Sequence, residues 1–233
     1  MQPASRNLKI LNILAAGLML AATALVFFYA PQERQMGEVQ RIFYFHVPSA
    51  FMSFMAFFVT LVAGVAYLVN RKPVWDQVAS ASVEIGLFFT ISAMVSGAVW
   101  ARPIWNTWWT WDPRLTTYTI MALIYVAYLM LRQGIEDPDR RARFAAVYGI
   151  VGFISVPITF MSIRWWRTIH PVIIGATDAG AKGQFDMTPA MTQVLLFSLL
   201  AFTVLYVAFL FNRLRLSRLQ DRVEQMRAQL QAA

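Results

Sequence analysis

FHVPSAFMSFMAFFVTLVAGVAYLV, residues 45–69, contains no aspartate, glutamate, lysine or arginine and is followed at once by Asn70-Arg71-Lys72-Pro73. About 20 apolar residues at a rise of about 1.5 Å each cross a hydrocarbon core of about 30 Å. This stretch is therefore read as a membrane-spanning helix. Similar runs lie at roughly 8–30, 79–100, 115–132, 144–163 and 190–211. The expected fold is an all-α, polytopic membrane protein, a six-transmembrane-helix bundle over residues 1–211. Composition agrees: of 233 residues, 58% are hydrophobic and 14% charged, whereas soluble domains carry about 25% charged residues. The first run sits behind Arg6 and Lys9 and ends in Phe27, Phe28 and Tyr29. It is longer than the apolar core of a signal peptide and lacks small residues before a cleavage site, so it reads as a retained first helix.

The net charge is +8, and it is distributed as membrane orientation requires. With the amino terminus in the cytoplasm, the inner segments hold Arg6, Lys9, Arg71, Lys72, Arg132, Arg140, Arg141, Arg143, Arg213, Arg215, Arg218, Arg222 and Arg227. The outer ones hold Arg34, Arg41, Arg102, Arg114, Arg164, Arg167 and Lys182. Positive charge gathers on the cytoplasmic side, so both termini are expected there. Charge confined to short segments between apolar runs argues against nucleic-acid binding. The chain has no cysteine, which excludes disulfides, thiolate ligands and thioether attachment of a cofactor. No phosphate-binding loop pattern is present, so ATP hydrolysis would need a partner.

Beyond Asn212 the character changes. Leu219, Val223, Met226 and Leu230 recur at helical spacing among arginines and glutamines, which predicts a cytoplasmic amphipathic tail helix over 212–233. It suits a membrane surface and a cytoplasmic partner equally well. Glu84, about five residues into the third run, is expected to reach interfacial water.

The outer segments hold nearly everything chemically distinctive. Arg41-Ile-Phe-Tyr-Phe-His46-Val-Pro48 precedes the second helix. Trp100-Ala-Arg102-Pro-Ile-Trp105-Asn-Thr-Trp108-Trp109-Thr-Trp111-Asp112-Pro-Arg114 makes a Trp-rich loop over 100–115, and Arg164-Trp165-Trp166-Arg167-Thr-Ile-His170 follows the fifth. Seven of the eight tryptophans lie on this side, Trp75 being the exception. An interfacial aromatic belt is two-sided; this cluster is one-sided and dense. Indole rings offer wide contact area with an N–H left for a polar edge, suiting a flat apolar ligand, and they also attract cations. His46 and His170 are the only histidines. Zinc wants three or four protein ligands, so two histidines fall short unless Asp112, Asp178 or Asp186 joins. Haem iron needs only one or two, because the porphyrin supplies four nitrogens. Arg41, Arg102, Arg114, Arg164 and Arg167 flank these elements and could meet haem propionates or, alternatively, lipid phosphate.

Trp105-Asn-Thr-Trp108-Trp109-Thr-Trp111-Asp112-Pro-Arg114 resembles the tryptophan-rich "WWD" signature of haem-handling proteins. With the segments around His46 and His170, six spans and a length near 230, the chain is similar throughout to the cytochrome c maturation protein C (haem exporter C) family. The resemblance implies that haem b (iron protoporphyrin IX) is held transiently at the outer face of the bacterial cytoplasmic (inner) membrane. It implies His46 and His170 as axial ligands, with Trp105, Trp108, Trp109, Trp111 and Asp112 against the porphyrin. It implies hand-off to a periplasmic haem chaperone during c-type cytochrome biogenesis. It also implies association with an ABC-type ATPase subunit, a second membrane subunit and a small membrane protein, and that this chain is not itself an enzyme. Asn106 stands where the family usually has glycine; asparagine tolerates left-handed backbone better than most residues, so a turn there can survive. Three further readings start from the same residues: a b-type cytochrome-like electron-transfer subunit, a transporter with a Trp-lined cation site, and a purely structural subunit whose histidines hold no cofactor.

Overall fold

A computed structural model of the chain describes residues 5–34, 36–166, 168, 170 and 187–232. Among them there is no β-strand, only an isolated bridge between Glu33 and Gly37. Six helical segments are long and apolar enough to cross a membrane. α1 (Arg6–Ala24) begins where the Ser5 hydroxyl accepts from the Leu8 amide. It continues as a wider turn over Leu25–Tyr29. A tight turn, Glu38–Ile42, leads into α2 (Phe43–Asn70). α3 (Pro73–Trp105) follows, then α4 (Pro113–Gln133), α5 (Pro138–Gly152), α6 (Ser155–Trp165) and α7 (Pro189–Ala232).

The α2–α3 hairpin is the spine. Arg71 takes the left-handed conformation (φ 57°) that ends α2, and Pro73 supplies the preset φ that starts α3. A two-residue connection between antiparallel helices fixes their register. Gly86 of α3 meets the Phe57 ring: a Cβ there would lie 2.7 Å from it. Eleven residues further along each helix, about three turns, Gly97 meets the His46 ring in the same way, at 2.8 Å. α4 packs against this spine through a stacked Phe57–Tyr125 pair, ring centroids 3.6 Å apart. α5 and α6 form one span with a break at Phe153–Ile154. Pro157 is the cause, since it has no N–H to give the Phe153 carbonyl four residues back.

Three boundaries depart from the apolar runs. α3 extends through Pro103 to Trp105, so part of the expected loop is helix. Its end is set at Asn106, in left-handed backbone (φ 53°). α5 starts at Pro138 rather than near 144, because Asp137 caps it by accepting from the Arg140 amide; caps, not apolarity, set helix starts. Residues 212–232 continue α7 without interruption rather than forming a separate tail helix, since neither proline nor glycine breaks the run.

The end of the bundle holding the start of α1 and the last turns of α7 is laced by polar pairs. Asn212 donates to Asn12 at 2.7 Å. Glu84, expected to reach interfacial water, keeps 35% of its side chain exposed and also receives Arg213 at 2.5 and 2.8 Å. Asp76 takes both terminal nitrogens of Arg132, with side chains only 15% and 14% exposed. Removing one member of such a pair strands the other charge. Arg132→Ala is therefore expected to destabilise the protein by about 3 kcal/mol, and a double Asp76→Leu/Arg132→Met change to recover most of that. Thermal unfolding in detergent checks this; a single variant that melts like wild type contradicts it.

Candidate functional site

At the opposite end, the first turns of α2, the last turns of α3, the start of α4 and His170 surround one cavity. Its whole space, counting what opens to solvent, is about 740 Å³. Trp100, Trp105, Trp108 and Trp109 form much of its wall, with Tyr118 and Arg114 deeper in. A second groove of about 530 Å³ shares His46, Ala50, Arg114 and His170 with it and continues past Phe54, Phe160 and Arg164.

His46 is held by α3. Its Nδ1 lies 2.9 Å from the Ala93 carbonyl and 3.2 Å from the Ser96 hydroxyl. A carbonyl can only accept, so Nδ1 carries the proton and Nε2 keeps its lone pair. That is how a ligating imidazole is usually oriented from behind. Gly97 leaves the space for the ring, and Trp100 packs against it edge-on at 5.9 Å.

His170 lies across the cavity, its ring centroid 6.2 Å from that of His46 and tilted by 37°. Two imidazoles ligating one metal from opposite sides, each at about 2.0 Å, have centres about 6 Å apart. Among the described residues no group of three or more His, Asp or Glu gathers that could hold a bare metal ion. The His170 segment is tied down by Asp112. One carboxylate oxygen accepts from the Leu115 amide at 2.9 Å, capping α4; the other accepts from the Thr168 hydroxyl at 2.9 Å. Thr168 in turn accepts from the His170 amide at 3.1 Å. The Asp-Pro that closes the Trp-rich signature thus starts a helix and anchors the second histidine at once.

Among the described residues, three buried polar atoms lining the cavity have no hydrogen-bond partner: Trp100 Nε1, Trp109 Nε1 and Thr110 Oγ1. Unpaired buried groups occur elsewhere in the bundle too, those of Gln40, Tyr125 and Arg141 among them; these three are set apart by lining one space, where a ligand's polar edge could meet them. The Arg114 guanidinium donates to the Thr159 carbonyl and lies over the Phe54 and Tyr118 rings. Haem fits this chemistry: two facing imidazoles, a flat indole wall, and N–H and guanidinium donors for two carboxylates.

The sequence-derived residues do not all converge. His46, His170, Trp105, Trp108, Trp109, Asp112 and Arg114 line the cavity. Trp111 does not: it is 74% exposed and packs edge-on against Trp109. Arg41 is turned away, donating to the Val26 and Phe27 carbonyls at the end of the first span and pairing with Glu38; carbonyls left over at a helix end are what hold it there. Arg102 closes α3, donating to Asn106 O and Oδ1 at 2.9 and 2.6 Å. Arg167, Asp178, Lys182 and Asp186 lie outside the described residues. Sequence reasoning missed Gly97, Thr168 and the part played by Trp100. A signal for Gly97 existed: it and Gly86 are the only glycines in α3, spaced like His46 and Phe57 on α2.

The sequence profile of the heme exporter protein C family matches residues 1–229. Heme exporter protein C of Bradyrhizobium diazoefficiens is 35% identical over 210 residues, covering 90% of this chain and 77% of that one. The protein of the same name from Rhodobacter capsulatus is 33% identical over 206 residues, covering 87% and 84%. That from Escherichia coli K12 is 33% identical over 189 residues, covering 81% and 74%.

Asp112→Ala removes the α4 cap and the tie to Thr168 together, and is expected to cost about 1–2 kcal/mol. Thr168→Val keeps the cap and is expected to cost less than half of that. Thermal midpoints of the two variants check the order; Thr168→Val as damaging as Asp112→Ala contradicts the assignment of the cap.

Proposed function

The chain belongs to the heme exporter protein C family, and from that membership we propose that His46 and His170 hold haem b at the outer face of the membrane for delivery to a periplasmic haem chaperone. It is a multi-pass protein of the bacterial inner membrane, and its role is in haem handling for c-type cytochrome biogenesis. The observation that carries the finer reading is the convergence of both histidines on a tryptophan-walled cavity with three unpaired buried polar atoms.

The porphyrin fills four positions on the iron, so two protein ligands complete it. His46 Nε2 is one, held ready by the Ala93 carbonyl; His170 is the other. Trp105 and Trp108 cover the macrocycle. The indole N–H groups of Trp100 and Trp109, with Arg114 and Arg164, receive the propionates. Arg41 and Arg102, expected there from sequence, are committed to helix ends, so the propionate role passes to the arginines that line the two grooves. The cavity opens to solvent, so a cargo lying in it keeps an edge accessible to the chaperone. Trp108 and Trp111, 58% and 74% exposed, offer that chaperone an aromatic rim. Energy for the cycle comes from an ABC-type ATPase subunit acting with a second membrane subunit and a small membrane protein.

The test is the yield of haem-loaded chaperone on co-expression. His46→Ala and His170→Ala are each expected to lower it at least about tenfold, the worth of roughly 1.4 kcal/mol. Gly97→Ala keeps both histidines but is expected to fall nearly as far, because the added methyl occupies the place of the His46 ring. Trp109→Phe keeps an aromatic wall but loses its donor, and is expected to weaken haem retention several-fold. Unchanged loading in both histidine variants contradicts the proposal.

A further inference from the structure

At the basic end, α1 and α7 part around a groove of about 1130 Å³, counting what opens to solvent. Its floor is apolar, made by Leu8, Leu11 and Phe211; its rim is Arg215, Arg218 and Arg222. No acidic residue is among the residues lining it. Beyond Asn212, α7 (Pro189–Ala232) presents two different faces. One turns Arg213 onto Glu84 and lets Asp221 accept from Gln77. The other carries the three groove arginines, spaced three and four residues apart, so that they lie along one stripe.

Depth follows from the pairing of Asn212 with Asn12. The apolar run of α7 ends at Phe211, which places the edge of the hydrocarbon near Asn212; on α1, Leu11 beside Asn12 lies at that edge and Leu8 about 5 Å beyond it, in the interface. Arg215 and Arg218 lie within about 10 Å of that edge along the helix axis, in the headgroup layer, and Arg222 is one turn further out. The floor runs on into side chains that face lipid: Phe211 is 51% exposed, and on α1 Ile10, Ile13 and Leu14 are 53%, 73% and 50% exposed.

We propose that this groove binds an anionic phospholipid of the inner leaflet, the arginines taking its phosphate and the floor its acyl chains. Basic pockets between spans on the cytoplasmic side recognise such headgroups, and guanidinium groups match phosphate with paired donors. A free phosphate has no use for the apolar floor. An acidic peptide would have to enter the headgroup layer beside it.

Native mass spectrometry of the full chain tests this, with dioleoyl phosphatidylglycerol and dioleoyl phosphatidylcholine as competing probes. Wild type is expected to retain phosphatidylglycerol with a preference of about fivefold or more. Arg215→Gln/Arg218→Gln/Arg222→Gln is expected to bring it below about twofold, and the single change at exposed Arg218, which is outside the packed core, to fall between. Lys72→Gln/Arg140→Gln/Arg143→Gln removes as many charges from the same end and is expected to keep the preference. Equal loss in that control, or no preference in wild type, overturns the proposal. Displacement of the lipid by millimolar inorganic phosphate assigns the groove to free anions, and a groove needed for a cytoplasmic partner but blind to lipid assigns it to an acidic protein segment; either overturns it.

Discussion

The hydrogen bond from His46 Nδ1 to the Ala93 carbonyl is the contact on which the Trp-rich end depends. It is made across the α2–α3 hairpin, so it exists only if the two helices keep their register. That register comes from the short Arg71-Lys72 connection and is read out at the two glycines of α3, one receiving Phe57 and the other His46. The bond sets the tautomer, aims the free nitrogen at the cavity and places the ring beside Trp100. The α4 and His170 elements are then brought to the same cavity by Asp112, which joins them through Thr168. One histidine is therefore fixed by helix packing and the other by side-chain hydrogen bonds at a loop, an asymmetry suited to a site that must both hold and give up its cargo.

The six spans were legible because their signal is apolar length, and the membrane demands length before anything else. Helix ends were less so. Asp137 and Asp112 start helices within polar sequence, where capping rather than apolarity decides, and Pro103 sits inside α3 although it reads as loop. The two histidines and the Trp cluster were visible as rare residues gathered on one side. The arginines were not sortable from sequence: Arg41, Arg102 and Arg114 look alike in composition, yet the first two satisfy carbonyls at helix ends and only the third reaches the cavity. Asn106 did what its chemistry allows, taking left-handed backbone in place of glycine, with Arg102 bonded to its side chain.

The two ends of the bundle carry different polar chemistry, although a buried group such as Arg141 Nε is unpaired at the basic end too. At the basic end, the Asp76–Arg132 and Glu84–Arg213 pairs and the Asn12–Asn212 contact satisfy polar groups within the protein. At the Trp-rich end, indole and hydroxyl donors around open space have no partner among the described residues. Unpaired buried donors cost free energy in an empty site, and those beside the two imidazoles are the ones that the proposed ligand, with its flat body and anionic edge, would satisfy.

The coordination state of the iron tests that account most directly. Electron paramagnetic resonance and resonance Raman spectra of the haem-loaded chain are expected to report a six-coordinate, low-spin iron with two imidazoles. His46→Ala and His170→Ala should each convert it to a high-spin or exogenously ligated species. A wild-type spectrum with one or no histidine ligand, or one left unchanged by both substitutions, contradicts the claim that these two side chains converge on a single iron.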